Sequence, residues 1–173
     1  MIEFDKINHI EFNENFQGVN LTEFTIRTDN KTTTDEIVDS FIQSKSFTYE
    51  SLSNCIKEEP EKNFLRRAFD FSIIKFSDFK KTDHVGTTKF LFDFINEPNW
   101  GDDRNKFAKL LDKYFEFHSL QENRNFYIIS KDWFNKDDER VIEPEHWCYT
   151  YYFLIFSIDR KSNILSLSEW KYD

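Results

Sequence analysis

The chain predicts an α+β fold, a largely antiparallel sheet from N- and C-terminal strands with a central run of four or five helices packed on it. Three observations carry this. Strand-like alternation is confined to Ile7–Thr28 and to the residues after Asn125, whereas apolar residues in between recur every three or four positions. Tyr151-Tyr-Phe-Leu-Ile-Phe-Ser-Ile158 is apolar or aromatic on both faces, as a strand inside a doubly covered sheet must be. With 173 residues, only three Gly and three Pro, no internal repeat and no linker, the chain reads as a single domain, 1–173.

In Leu21-Thr-Glu-Phe-Thr-Ile-Arg-Thr28, Phe24 and Ile26 alternate with Glu23, Thr25 and Arg27, a half-buried strand. His9-Ile-Glu-Phe12 is its expected hairpin partner, with Asn13 to Gly18 as the loop. Thr34-Asp-Glu opens a first helix, a cap with acids in the first turn, and Ile37, Val38, Phe41 and Ile42 share one face. Tyr49, Leu52, Cys55 and Ile56 repeat that pattern in a shorter helix. Pro60 suits a first helical position, and Phe64, Leu65, Ala68, Phe69, Ile73, Phe76 and Phe79 follow near one face. Gly86-Thr-Thr88 introduces Phe90, Leu91, Phe94 and Ile95 at helical spacing. After a break at Glu97-Pro-Asn-Trp-Gly101, Asp102-Asp103 caps a helix carrying Phe107, Leu110, Leu111, Tyr114 and Phe115. Asn125-Phe-Tyr-Ile-Ile-Ser130 is a short strand. Lys131 to His146 is a polar connection, and Tyr151–Ile158 and Ile164–Tyr172 form a hairpin about Asp159–Asn163. The N-terminal strands are expected to join the same sheet and tie the two chain ends together.

Composition excludes several functions. A formal net charge of −9, from 32 acids against 23 bases, repels phosphate and argues against direct nucleic-acid binding. Three glycines cannot build the usual nucleotide-cradling loops. No apolar run reaches the roughly 20 residues that span a bilayer. The start Met1-Ile-Glu-Phe-Asp-Lys6 lacks a secretory pattern, and Cys55 and Cys148 form no CxxC pair, so a reducing cytoplasm is the expected compartment.

The chemistry-bearing residues are sparse. Of the four histidines, His9, His84, His118 and His146, only His146 lies near a cysteine, Cys148. Zinc would need Glu143 and Glu145 to complete a set, so no metal or other cofactor is expected. No Ser or Cys stands in a recognisable nucleophile motif, and no catalytic residues are assigned. Asp70 and Asp93, in Phe69-Asp-Phe71 and Phe92-Asp-Phe94, are either acid/base candidates facing a pocket or residues on the polar side of their helices.

The best interaction candidate is the connection from Asp132 to Glu145. It holds Asp132, Asp137, Asp138, Glu139, Glu143 and Glu145 against Lys136 and Arg140, an excess of 6 − 2 = 4 negative charges, with Trp133, Phe134 and Trp147 in or beside it. Aromatic side chains beside charge make interface anchors. Trp100 with Asp102 and Asp103 forms a second candidate, although a carboxylate pair there also serves as a helix cap.

In overall style, and in the ending Tyr151-Tyr-Phe-Leu-Ile-Phe-Ser-Ile-Asp-Arg-Lys-Ser-Asn-Ile-Leu-Ser-Leu-Ser-Glu-Trp-Lys-Tyr-Asp173, the chain resembles the small acidic immunity proteins that bacteria encode beside polymorphic toxins. The resemblance implies a non-enzymatic, stoichiometric inhibitor that binds a cognate toxin, often a basic nuclease, in the cytoplasm. Two other readings fit the residues. One is a pocket protein, enzyme or small-ligand binder, resembling the nuclear-transport-factor-2-like superfamily. The other is an acidic mimic of DNA.

Overall fold

The computed structural model describes residues 1–47, 74–96, 103–118, 120–130 and 151–172. Six strands form one antiparallel sheet: β1 (Glu3–Glu14), β2 (Gln17–Arg27), β3 (Lys80–Thr82), β4 (Asn125–Ser130), β5 (Tyr151–Asp159) and β6 (Ile164–Tyr172). Their spatial order is β1-β2-β6-β5-β4-β3. β2 pairs with β6 from Gln17↔Tyr172 to Thr25↔Ile164, so the two ends of the chain meet in the middle of the sheet as expected.

The N-terminal hairpin is tighter than the sequence predicts. Glu14 pairs with Gln17, leaving Asn15 and Phe16 as the turn in place of the expected loop over 13–18. Asn15 takes a φ of 57°, a left-handed conformation that asparagine tolerates and two-residue hairpins require. The outward Glu, Asp and Lys side chains of β1 hide its strand character. Those charges, with a bulge between Lys6 and Asn8, suit an edge strand, because they discourage pairing with another chain.

All nine residues of β5 are buried. Three helices among the described residues contribute to this: α1 (Thr34–Ile42), α2 (His84–Ile95) and α3 (Asp103–Phe117). They do not lie on a single side. Phe41 of α1 packs against Phe24 and Phe156, with ring centroids 4.9 and 5.5 Å apart. On the opposite face Phe94 of α2 meets Phe153 at 5.0 Å, and Phe107 of α3 meets Trp170 at 5.3 Å. The physical reason is the one visible in β5: a strand that is apolar on both faces must be covered twice. The two faces are called here the α1 face and the α3 face.

Local chemistry moves several helix boundaries. Thr33, not Thr34, caps α1: its hydroxyl accepts the Glu36 N–H at 3.2 Å, and the Glu36 carboxylate accepts the Thr33 N–H at 2.7 Å. α2 begins at His84, before Gly86, because the Asp83 carboxylate accepts the Gly86 N–H at 2.8 Å. The helix expected to run to Phe79 does not reach it. Phe76–Asp78 is a single 3₁₀ turn, closed where the Asp78 carboxylate accepts the Lys75 N–H at 2.8 Å. The chain then extends into β3, a strand the spacing did not predict. Phe76 and Phe79, three apart, fit a 3₁₀ turn as readily as a helix, and Phe79 stacks on Phe156 at 5.0 Å. The helix expected over 49–56 and the body of the one expected from Pro60 lie outside the described residues. Among the described residues no helix is long and apolar enough to cross a membrane.

Candidate functional site

Most of the interaction residues read from the sequence, namely Trp100, Asp102, Asp132, Trp133, Asp137, Asp138, Glu139, Glu143 and Glu145, lie outside the described residues. So do Asp70, His146 and both cysteines. Topology still fixes where the acidic connection is attached. Residues 131–150 link β4 to β5, which lie side by side with Ser130 opposite Phe153. A hairpin between such neighbours needs roughly two to five residues.

Asp103 is described, and it has an architectural task. At the start of α3 its carboxylate takes the Lys106 ammonium at 2.5 Å and the Tyr172 hydroxyl, and its carbonyl accepts from Gln17 Nε2 at 3.0 Å. The Lys106 contact, then the Tyr172 hydroxyl, holds its carboxyl below the usual range. These bonds fasten α3 to β2 and β6. Asp93 is exposed and ion-paired with Lys89 one turn away, on the polar side of α2 at the border of an open cleft. Among the described residues no group of three or more His, Cys, Asp or Glu could hold a metal ion.

Two polar layers that sequence reasoning missed lie on the sheet. Under α3, Ser157 and Ser166 face each other across β5 and β6. Arg124 Nη1 donates to the Ser157 hydroxyl at 2.9 Å and to Ser166 at 3.4 Å. Ser166 in turn donates to Glu23 at 3.3 Å, and Tyr114 meets Ser168 at 3.4 Å. Just past the end of α3, His118 Nε2 lies 3.1 Å from the Ser157 oxygen. The Ser157 hydroxyl accepts from Arg124 and still has a proton and a second lone pair for Nε2, so either neutral tautomer of His118 can make this bond. Burial first, then the Arg124 charge, drives the His118 pKa down to about 3, so the ring is neutral at ordinary pH. A Ser–His contact is the start of a nucleophile–base pair. Here Ser157 is 1% exposed beneath α3, so the contact straps α3 to the central strands.

On the α1 face, Glu169 is 1% exposed. Its carboxylate accepts from Asn20 Nδ2 at 2.7 Å and from the Tyr152 hydroxyl. Beside it His9 bridges Thr22 at 2.8 Å and Glu11 at 3.0 Å. These bonds run across β1, β2, β6 and β5 and fix the register of strands that have few apolar pairs at that end.

The third feature is open to solvent. Between α2 and strands β3 and β4 lies a cleft of about 500 Å³, lined by Asp78, Lys80, Thr82, Lys89, Phe90, Asp93, Ile128 and Ser130. Gly86 lets the first turn of α2 close onto β3: a Cβ there would stand 2.0 Å from Thr82 Oγ1.

No family model matches the chain, and no curated protein gives a significant match. Among solved structures it is similar to a crystal structure of citrus MAF1, at 11% identity over 92% of this chain and 88% of that one, with a TM-score of 0.34, too slight a likeness to bear on fold or function.

Proposed function

We propose that this chain is a non-catalytic, stoichiometric protein-binding inhibitor of the immunity type, neutralising a cognate bacterial toxin in the cytoplasm. The observation that carries the reading is the concentration of acid in one connection: four excess negative charges between Asp132 and Glu145, in a chain of net charge −9. The connection is far longer than its two neighbouring strands require, and connections of that length are usually either functional or linkers. A basic partner, such as a nuclease domain, is steered to the acids, and Trp133 with one or two neighbouring aromatics is then buried as the anchor. The sheet supplies a rigid base, since β4 and β5 are both central or near-central and densely packed.

The competing pocket-enzyme reading turns on an inward carboxylate at Asp70, which lies outside the described residues, or at Asp93. Asp93 is not one, because it faces solvent and pairs with Lys89.

The test uses the toxin encoded beside this gene. The chain is expected to silence it at a ratio of one to one. Reversing Asp137, Asp138 and Glu139 to Lys is expected to slow association by about tenfold or more at low salt and to flatten the salt dependence. An unchanged association rate would remove this connection as the docking face.

A further inference from the structure

We propose that the cleft between α2 and β3–β4 binds a carboxylate carried on an apolar or aromatic body. This is independent of the inhibitor reading above and uses none of the residues invoked there.

Solvent-accessible polar groups with unspent hydrogen-bonding capacity mark where a ligand can bind. In the two buried layers serine, histidine and carboxylate are engaged with one another. In the cleft the carboxylates are engaged, Asp78 by the Lys75 N–H and Asp93 by Lys89, while one ammonium and two hydroxyls have no partner among the described residues. Lys80 carries the one lining ammonium without an ion-pair partner among the described residues, since Lys89 is held by Asp93. The hydroxyls of Thr82 and Ser130 have no hydrogen-bond partner among the described residues either. Register explains why the three converge. Lys80 pairs with Ile128 and Thr82 with Phe126, so Lys80, Thr82 and Ser130 project from the same face of the β3–β4 ladder, towards α2. That face is where Phe90 of α2 comes down, its ring 5.1 Å from Phe153.

The result is a concave site with an apolar floor of Phe90 and Ile128 and polar walls that carry the Lys80 ammonium and the Thr82 and Ser130 hydroxyls. A volume of about 500 Å³ falls within the size of ordinary small-ligand sites. The chemistry of the unspent groups sets the ligand. An ammonium and two hydroxyl donors call for an anionic acceptor with two oxygens, and the floor calls for a hydrocarbon body. A polyanion such as a nucleotide is disfavoured, because Asp78 and Asp93 also border the cleft and would repel a second charge. A cationic ligand would have to displace Lys89 from Asp93. Two sources could present this chemistry: a free amphipathic monocarboxylate, or the C-terminal carboxylate of a peptide ending in an apolar residue. A peptide would also use the outer edge of β3, the terminal strand of the sheet.

The experiment is a titration of the whole chain, followed by backbone amide NMR. The probes are phenylpropionate, its uncharged amide, phenethylamine, and an acetylated dipeptide ending in phenylalanine with either a free or an amidated C-terminus. The expected result is saturable binding of phenylpropionate, with shifts centred on Thr82, Gly86, Phe90 and Ser130. Its amide should bind about tenfold more weakly and phenethylamine should not saturate. Lys80→Gln and Ser130→Ala are each expected to weaken the acid by about fivefold or more while leaving the thermal midpoint unchanged. If the free-acid dipeptide binds more tightly than phenylpropionate and adds shifts along Lys80–Thr82, the carboxylate belongs to a peptide. If the two bind alike, a small free acid is the source. Equal affinity for acid and amide, shifts centred elsewhere, or no saturation by any probe would overturn the assignment.

Discussion

His118 offers a direct measurement of the buried layer beneath α3. Its pKa is about 3 in the native protein against 6.5 for a free histidine, with burial as the main cause and the Arg124 charge as the second. The native ring is therefore neutral at pH 5, whereas an unfolded chain takes up a proton there. Below pH 6.5 the unfolded state binds more protons, so stability falls as pH drops, down to about pH 3 where the native ring also protonates. At roughly 1.4 kcal/mol per pH unit, moving from pH 7 to pH 5 costs about 2 kcal/mol. Glu14 and Glu36, lowered from 4.5, begin to contribute near pH 5, but equally in the parent and in a His118 variant, so they cancel in the comparison. Asp35, Asp103 and Asp159 have lowered native values, and their effect appears only as pH falls through the ordinary carboxylate value of 3.8. The assay is urea unfolding followed by tryptophan fluorescence at both pH values. His118→Gln, which can keep one bond to Ser157 but cannot titrate, is the control. The parent protein should lose about 2 kcal/mol more than the variant over that interval. Equal losses in the two proteins, or a His118 ring proton that titrates near 6.5 in the native state, would show that the imidazole is not buried against Arg124 as described.

Phe41 is fully buried, with the rings of Phe4, Phe24, Phe47 and Phe156 at 4.9 to 5.7 Å, so Phe41→Ala should destabilise the fold by about 3–5 kcal/mol in chemical unfolding. A cost under about 1 kcal/mol would mean that α1 does not close that face. Gly86→Ala places a Cβ 2.0 Å from Thr82 Oγ1 and should cost about 1–3 kcal/mol. Adding Thr82→Ala removes the obstructing oxygen and should recover most of that loss; two strictly additive losses would count against the contact between α2 and β3.

Much of the sheet was legible in the sequence because its determinants are local. Tyr151–Ile158 announces a doubly covered strand by having no polar face, and the structure buries all nine residues of β5. α1 and α3 follow from spacings that no other local structure satisfies. Phe76 and Phe79 were misread because an interval of three residues suits both a helix and a 3₁₀ turn, and the choice fell to the Asp78 carboxylate bonding back to Lys75. The polar layers were illegible for a different reason. In Ile164-Leu-Ser-Leu-Ser-Glu-Trp-Lys-Tyr172, alternation predicts that Ser166 and Ser168 point to water while Leu165 and Leu167 point inward. With both faces covered there is no outward side. The serines lie under α3 with Trp170, and Glu169 is buried on the other face with Asn20 and Tyr152. Whether a polar residue on a central strand is buried depends on what covers its face, which is decided elsewhere in the chain. The same reasoning separates scaffold from site. Ser157 and His118 bond to each other and Glu169 to Asn20 and Tyr152, all within the covered sheet, so altering them changes stability and strand register. Lys80, Thr82 and Ser130 stand on the same sheet with donors directed at an open cleft, and it is there that a change of side chain should alter binding without altering the fold.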